Sequence, residues 1–186
     1  MTGYAIALFV HITGALGIFA ALSLEWTGLR QIGNAAAPEQ VREWMGILKR
    51  VRKVGFVSML AAVITGFYMM AIVWRGAAWI YVTLGALVLM IVLAQALTSP
   101  RMAVIGKAMT DEKGMLSQTF YGLAKNPLLW VSIQTRAGIA LGIVFLKIAR
   151  PDWAGSLLSI GFAIILGLVS TLPFLSSARA QKELAG

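Results

Sequence analysis

Three ionisable residues, His11, Glu25 and Arg136, stand inside stretches that are otherwise apolar, and they are where this sequence carries reactive chemistry. A charge at bilayer depth costs about 2.5–3.5 kcal/mol on insertion scales, so such residues are normally paired or functional. Glu25 lies near the end of the first apolar run, shortly before Arg30, and Arg136 follows Pro127 by nine residues in the fourth. At a rise of about 1.5 Å per residue their depths differ by only about 5 Å, within reach of two long side chains. The spacing predicts an intramembrane Glu25–Arg136 ion pair helped by Gln134. The alternative is a working carboxylate, with Glu25 titrating or binding a cation during transport and Arg136 as its counter-charge.

His11 precedes Glu25 by fourteen residues, a net rotation of about 320°, so the two share nearly one face of a helix and that face points inward. The second apolar run ends with Tyr68, Met69 and Met70 at a depth close to that of His11. An imidazole and two thioethers are soft donors that suit Cu(I), and a His/Met pair also holds haem iron. His11, Met69 and Met70 are therefore a candidate metal site for copper or haem. The structural alternative is a buried imidazole hydrogen-bonded to a backbone carbonyl or to Thr13, with the methionines filling the core.

Other chemistries are excluded by counting. The chain has no cysteine and one histidine, which removes disulfides, thiolate sites, a bis-His haem within one chain and an H-E-x-x-H zinc motif. His11 and Glu25 stand about 21 Å apart along one helix, too far for a triad. Without a P-loop or dinucleotide fingerprint either, no enzymatic activity is expected unless a cofactor is bound.

These residues need elements to hold them. Of 186 residues, 59% are apolar and 12% charged, with a mean hydropathy of +0.83. Soluble domains carry roughly 45–50% apolar and about 25% charged residues. The apolar residues form five runs, about Tyr4–Leu29, Val54–Trp74, Trp79–Thr98, Asn126–Ala149 and Ala154–Ser176. Each matches the roughly 20 residues that cross a hydrocarbon core about 30 Å thick. The expected fold is an all-α transmembrane bundle of five spans forming a single membrane domain. The first run lacks a basic region ahead of it, so it is expected to be a retained helix rather than a signal peptide.

The net charge of +9 points to lipid and orientation, because no nucleic-acid motif accompanies it. Twelve of the sixteen basic residues fall in Arg30–Lys53, in Arg101–Lys125 and in the tail with Arg179 and Lys182. Arg75, Lys147 and Arg150 fall on the opposite side. The positive-inside rule then predicts an outside N-terminus and a cytoplasmic C-terminus, in a bacterial inner membrane. Trp74 and Trp79 bracket a tight hairpin around Arg75 and Gly76. From Pro38 to Lys53, Val41, Trp44, Met45, Leu48 and Val51 recur at helical spacing, which predicts an amphipathic helix on the cytoplasmic leaflet. The loop holding Asp111, Glu112, Lys113 and Gly114 reads as a connector.

Helices in lipid associate through small residues. Ser58, Ala62 and Gly66, then Gly138 and Gly142, then Ser159, Ala163, Gly167 and Thr171 form ladders of that kind. They serve as seams within the chain, or as contacts in a homo-oligomer or a larger membrane complex.

The stretches Leu8-Phe9-Val10-His11-Ile12-Thr13-Gly14-Ala15 and Thr65-Gly66-Phe67-Tyr68-Met69-Met70 resemble small bacterial membrane proteins related to the copper-resistance D family. The resemblance covers about the first 75 residues and implies an inner-membrane helical bundle handling copper or haem, with His11 the residue carried across. The expected function is a ligand-handling or transport-type membrane protein, its substrate open and a metal ion among the candidates. The alternatives are an accessory subunit of a membrane complex and a haem-binding redox protein.

Overall fold

In a computed structural model, which describes residues 2–73, 76–111 and 115–174, the chain is helical throughout, with no strand among the described residues. The elements are α1 (Thr2–Gly33), α2 (Pro38–Ile72), α3 (Ala78–Leu93), a π-helical turn (Ala94–Thr98), α4 (Ser99–Asp111), α5 (Gln118–Ala124), α6 (Pro127–Ala149) and α7 (Trp153–Val169). Among the described residues, five helical stretches are long and apolar enough to cross a membrane: Thr2–Gly33, Pro38–Ile72, Ala78–Thr110, Gln118–Ala149 and Trp153–Phe174.

These stretches are longer than the apolar runs read from the sequence. At 35 residues α2 extends about 52 Å, well beyond a hydrocarbon core of about 30 Å. The segment from Pro38 to Lys53 is therefore not a separate surface helix but the opening turns of α2. Its apolar face is covered by the protein itself, since Val41, Leu48 and Val51 are buried. Likewise most of the expected connector after Thr98 is helical, as α4 and α5. Of the segments singled out in the sequence, Trp74, Arg75, the residues from Glu112 to Gly114, and the tail with Arg179 and Lys182 lie outside the described residues.

Local chemistry sets the helix starts. Pro38 and Pro127 occupy first-turn positions, where a missing N–H is not required. The Asn126 side chain accepts from the Leu128 N–H, and Asp152 accepts from the Gly155 N–H. Gln40 closes the α1–α2 turn by accepting from the Ala36 N–H at 2.9 Å.

Two tight helix pairs carry the small-residue ladders. In the α1–α2 hairpin, a Cβ on Gly14 would lie 2.7 Å from the Ser58 carbonyl oxygen and 3.0 Å from the Ala62 nitrogen. In the α6–α7 pair, a Cβ on Gly138 would collide with the Ala163 carbonyl, and one on Gly167 would lie 2.7 Å from the Gln134 carbonyl oxygen. The α6 and α7 ladders thus face one another, and the α2 ladder faces Gly14 of α1, at distances that only small residues allow. By contrast α2 is not packed along α3, and a crevice runs between them.

Gly167→Ala should lower the melting temperature in detergent, because the methyl meets backbone rather than a yielding side chain; overpacking of this kind costs roughly 1–3 kcal/mol. Gly161→Ala, which meets nothing within 4 Å, should melt at or above the parent temperature. Equal melting of the two variants would show that the α6–α7 seam is looser than described.

Candidate functional site

Arg136 is 6% exposed on α6 and forms a two-pronged ion pair with Glu25 of α1. Its Nη2 donates to Glu25 Oε1 at 2.6 Å and its Nη1 to Oε2 at 3.0 Å. The guanidinium fork matches the carboxylate plane, the arrangement in which an arginine pair is strongest. Two of the three remaining N–H groups are also engaged. Nε donates to the Ser132 carbonyl one turn earlier at 3.3 Å, and Nη2 donates to Thr98 Oγ1 at 3.3 Å.

Thr98 continues the network in one direction. Its hydroxyl donates to Ser132 Oγ at 2.9 Å, and the Ser132 hydroxyl donates to the Leu93 carbonyl at 3.2 Å. The chain of donors therefore ends on backbone, with each hydroxyl both accepting and donating. Both hydroxyl residues are buried, Thr98 at 5% and Ser132 at 0% exposure.

The π-helical turn presents Thr98 to this network. Pro100 has no N–H to give the Ala96 carbonyl, and its ring crowds that oxygen, which favours a wider turn before it. Arg101 compensates by donating to the carbonyls of Ala96 at 3.2 Å and Leu97 at 2.8 Å. The Ser99 N–H reaches back to the Ala94 carbonyl. Neither Thr98 nor Ser132 stands out in the sequence. The available signals were the one-turn spacing of Ser132 from Arg136 and a proline inside a hydrophobic helix.

Gln134 does not join the pair. It makes no hydrogen bond to Glu25 or Arg136 among the described residues, because it lies two positions from Arg136, about 200° around the helix. Its backbone faces α7 at Gly167 instead.

The second group gathers around His11. Its Nδ1 lies 2.8 Å from the Ala62 carbonyl of α2, which can only accept, so Nδ1 carries the proton. The Thr65 hydroxyl donates to the Ala61 carbonyl at 2.6 Å and stands 3.4 Å from the same ring nitrogen. The ring fits because residue 66 is glycine: a Cβ there would sit 3.3 Å from His11 Cε1. Thr13 is on the exposed face and is not the partner. Met69 is buried and Met70 partly buried, and both line the same cavity as His11. Among the described residues no three His, Cys, Asp or Glu side chains come together as a metal cluster.

Two cavities lie in tandem between α1, α2 and α3. The one beside His11 measures about 340 Å³ and the one beside Glu25 and Arg136 about 210 Å³. Residues Tyr4, Leu8, His11, Ala15, Ile18, Leu22, Glu25 and Leu29 of α1 line them in order, at alternating spacings of four and three. That spacing puts one continuous stripe of α1 along both, and Ile18 belongs to both walls. Lys147 and Arg150 also line the His11 cavity, while Arg52 and Gln95 line the other.

Compared with known proteins, the chain matches no protein-family model, no curated protein and no solved structure.

Arg136→Ala should destabilise the protein by roughly 3–5 kcal/mol, since it strands a carboxylate inside the bundle. Adding Glu25→Gln to Arg136→Ala should recover a large part of that loss in a detergent-unfolding cycle. Strictly additive effects would mean that the two groups do not sense each other.

Proposed function

We propose that this protein is a ligand-handling, transport-type membrane protein, and that its ligand moves along the α1 stripe between the two cavities. The observation that carries the reading is their tandem arrangement. Two cavities share the wall residue Ile18, and each has a polar station, His11 in one and the Glu25–Arg136 pair in the other. A subunit serving only as packing material has no need of either cavity, and a carboxylate with 21% of its side chain exposed beside one is an unusual filler. The alternative, an accessory subunit of a larger complex, would leave these spaces dry.

In this reading the N-terminus faces outside and the C-terminus the cytoplasm of a bacterial inner membrane, following the distribution of Lys and Arg. The His11 cavity then opens toward the outside and the Glu25 cavity toward the cytoplasm. Copper is the cargo suggested by the soft donors His11, Met69 and Met70 and by the resemblance to the copper-resistance D family. The cationic side chains of Lys147 and Arg150 in the same cavity oppose it, because like charges raise the energy of a bound cation.

The absence of cysteine makes a direct test simple. Ala15→Cys should react with a membrane-impermeant thiol reagent added outside, and Gln95→Cys with the same reagent added from the cytoplasmic side. Ala163→Cys, inside the α6–α7 seam, should react with neither. Unreactive thiols at both cavity positions would favour the accessory-subunit reading, and reversed sidedness would overturn the orientation. Metal analysis of purified protein tests copper separately: retained metal lost in His11→Ala and weakened in Met69→Leu would restore it as cargo.

A further inference from the structure

We propose that the His11 cavity binds a single-chain amphipathic anion, its carboxylate or phosphate head held by Lys147 and Arg150 and its hydrocarbon body lying along the apolar wall. The inference rests on the ligand-handling reading and gives that reading a chemical class of ligand.

Charge is the first argument. Lys147 and Arg150 line this cavity, and among the described residues no Asp or Glu does. Through its ammonium Lys147 makes no hydrogen bond or ion pair among the described residues. Two cations beside a largely apolar space form a favourable seat for an anion, since the low local dielectric strengthens their attraction. Lys147 sits in the last turn of α6 and Arg150 at its C-cap, where the helix C-terminus favours cations. Arg150 is engaged there, closing the helix in a left-handed conformation with φ 49° and donating from Nε to the Lys147 carbonyl. That helix-end role accounts for Arg150 but not for an ammonium lining the cavity.

The remaining wall describes the rest of the ligand. Leu8, Phe67, Trp79, Leu84, Leu87 and Ile143 make it apolar. The cavity volume, about 340 Å³, is within the range of small-molecule sites, roughly 300–1,000 Å³. A fully polar anion would leave these side chains unused, and a neutral hydrocarbon would leave Lys147 without a counter-charge. An apolar chain with one anionic head satisfies both ends.

The test uses the full-length protein in nanodiscs of zwitterionic lipid, with a dansyl-labelled undecanoic acid as fluorescent probe. Dodecanoate and dodecyl phosphate should displace the probe, and whichever does so at lower concentration identifies the head group. Dodecanol and dodecyltrimethylammonium should displace it at least about tenfold less well, the difference one charge-assisted contact makes. Lys147→Gln should weaken probe binding about tenfold, Lys147→Arg should keep it, and Leu84→Trp, which fills the cavity, should abolish it.

Equal displacement by dodecanol, or unchanged binding in Lys147→Gln, would overturn the anion while leaving a ligand cavity in place. No probe binding, together with a reactive Ala15→Cys, would likewise overturn the anion and spare the ligand-handling reading. No probe binding with an unreactive Ala15→Cys would overturn both.

Discussion

An arginine buried to 6% exposure inside a helical membrane bundle constrains everything around it, and Arg136 meets that constraint with the Glu25 carboxylate. Taken out of water, a guanidinium is tolerated only when its charge is matched and its N–H groups are occupied. Satisfying Arg136 requires α1 to supply Glu25, α6 to supply the Ser132 carbonyl, and the π-helical turn to supply Thr98. Three of the five long helical stretches are thereby fixed in register by one side chain. Small-residue contacts then bring α2 onto α1 and α7 onto α6. Apolar burial alone would not supply this order, because lipid tails compete equally with leucine for apolar faces.

The same arrangement explains where space remains. With α1 held against α6 at Glu25 and against α2 by glycines, the third stretch meets α6 along α3 and reaches α2 only through α4, so α3 and α2 stay apart. The tandem cavities occupy that crevice. Their polar groups come from opposite ends of one α1 face, which is why His11 and Glu25 line one stripe despite their separation along the helix. The two stations also differ in chemistry. Glu25 is neutralised by a partner on the protein, whereas the His11 cavity collects cationic groups with no acidic side chain beside them among the described residues.

The five apolar helices are legible in the sequence because hydrocarbon thickness and backbone hydrogen bonding leave few alternatives to a 20-residue apolar run. Helix ends were less legible: Val41, Leu48 and Val51 carry the periodicity of a surface helix, but the same spacing serves a helix that runs on and packs against α1. Glu25 and Arg136 stand out because they are charges in apolar runs. Thr98 and Ser132 are small hydroxyl residues of a kind common in membrane helices, and only the π-helical turn ahead of Pro100 brings Thr98 to the guanidinium. Gln134 drew notice by its polarity and proximity in sequence, yet helical geometry turns it away from Arg136. Cavities leave no mark on a sequence, since they depend on what two facing helices fail to fill.

The account turns on a direct guanidinium–carboxylate contact within the membrane. Magic-angle-spinning NMR of the protein in lipid, with 15N-labelled arginine and 13C-labelled glutamate, reads that contact as a dipolar correlation between the Arg136 Nη nitrogens and Glu25 Cδ. The structure predicts a strong short-mixing correlation that disappears in Glu25→Gln. A spectrum with no such correlation would contradict it, because the register of α1, α6 and the third stretch would then need another cause.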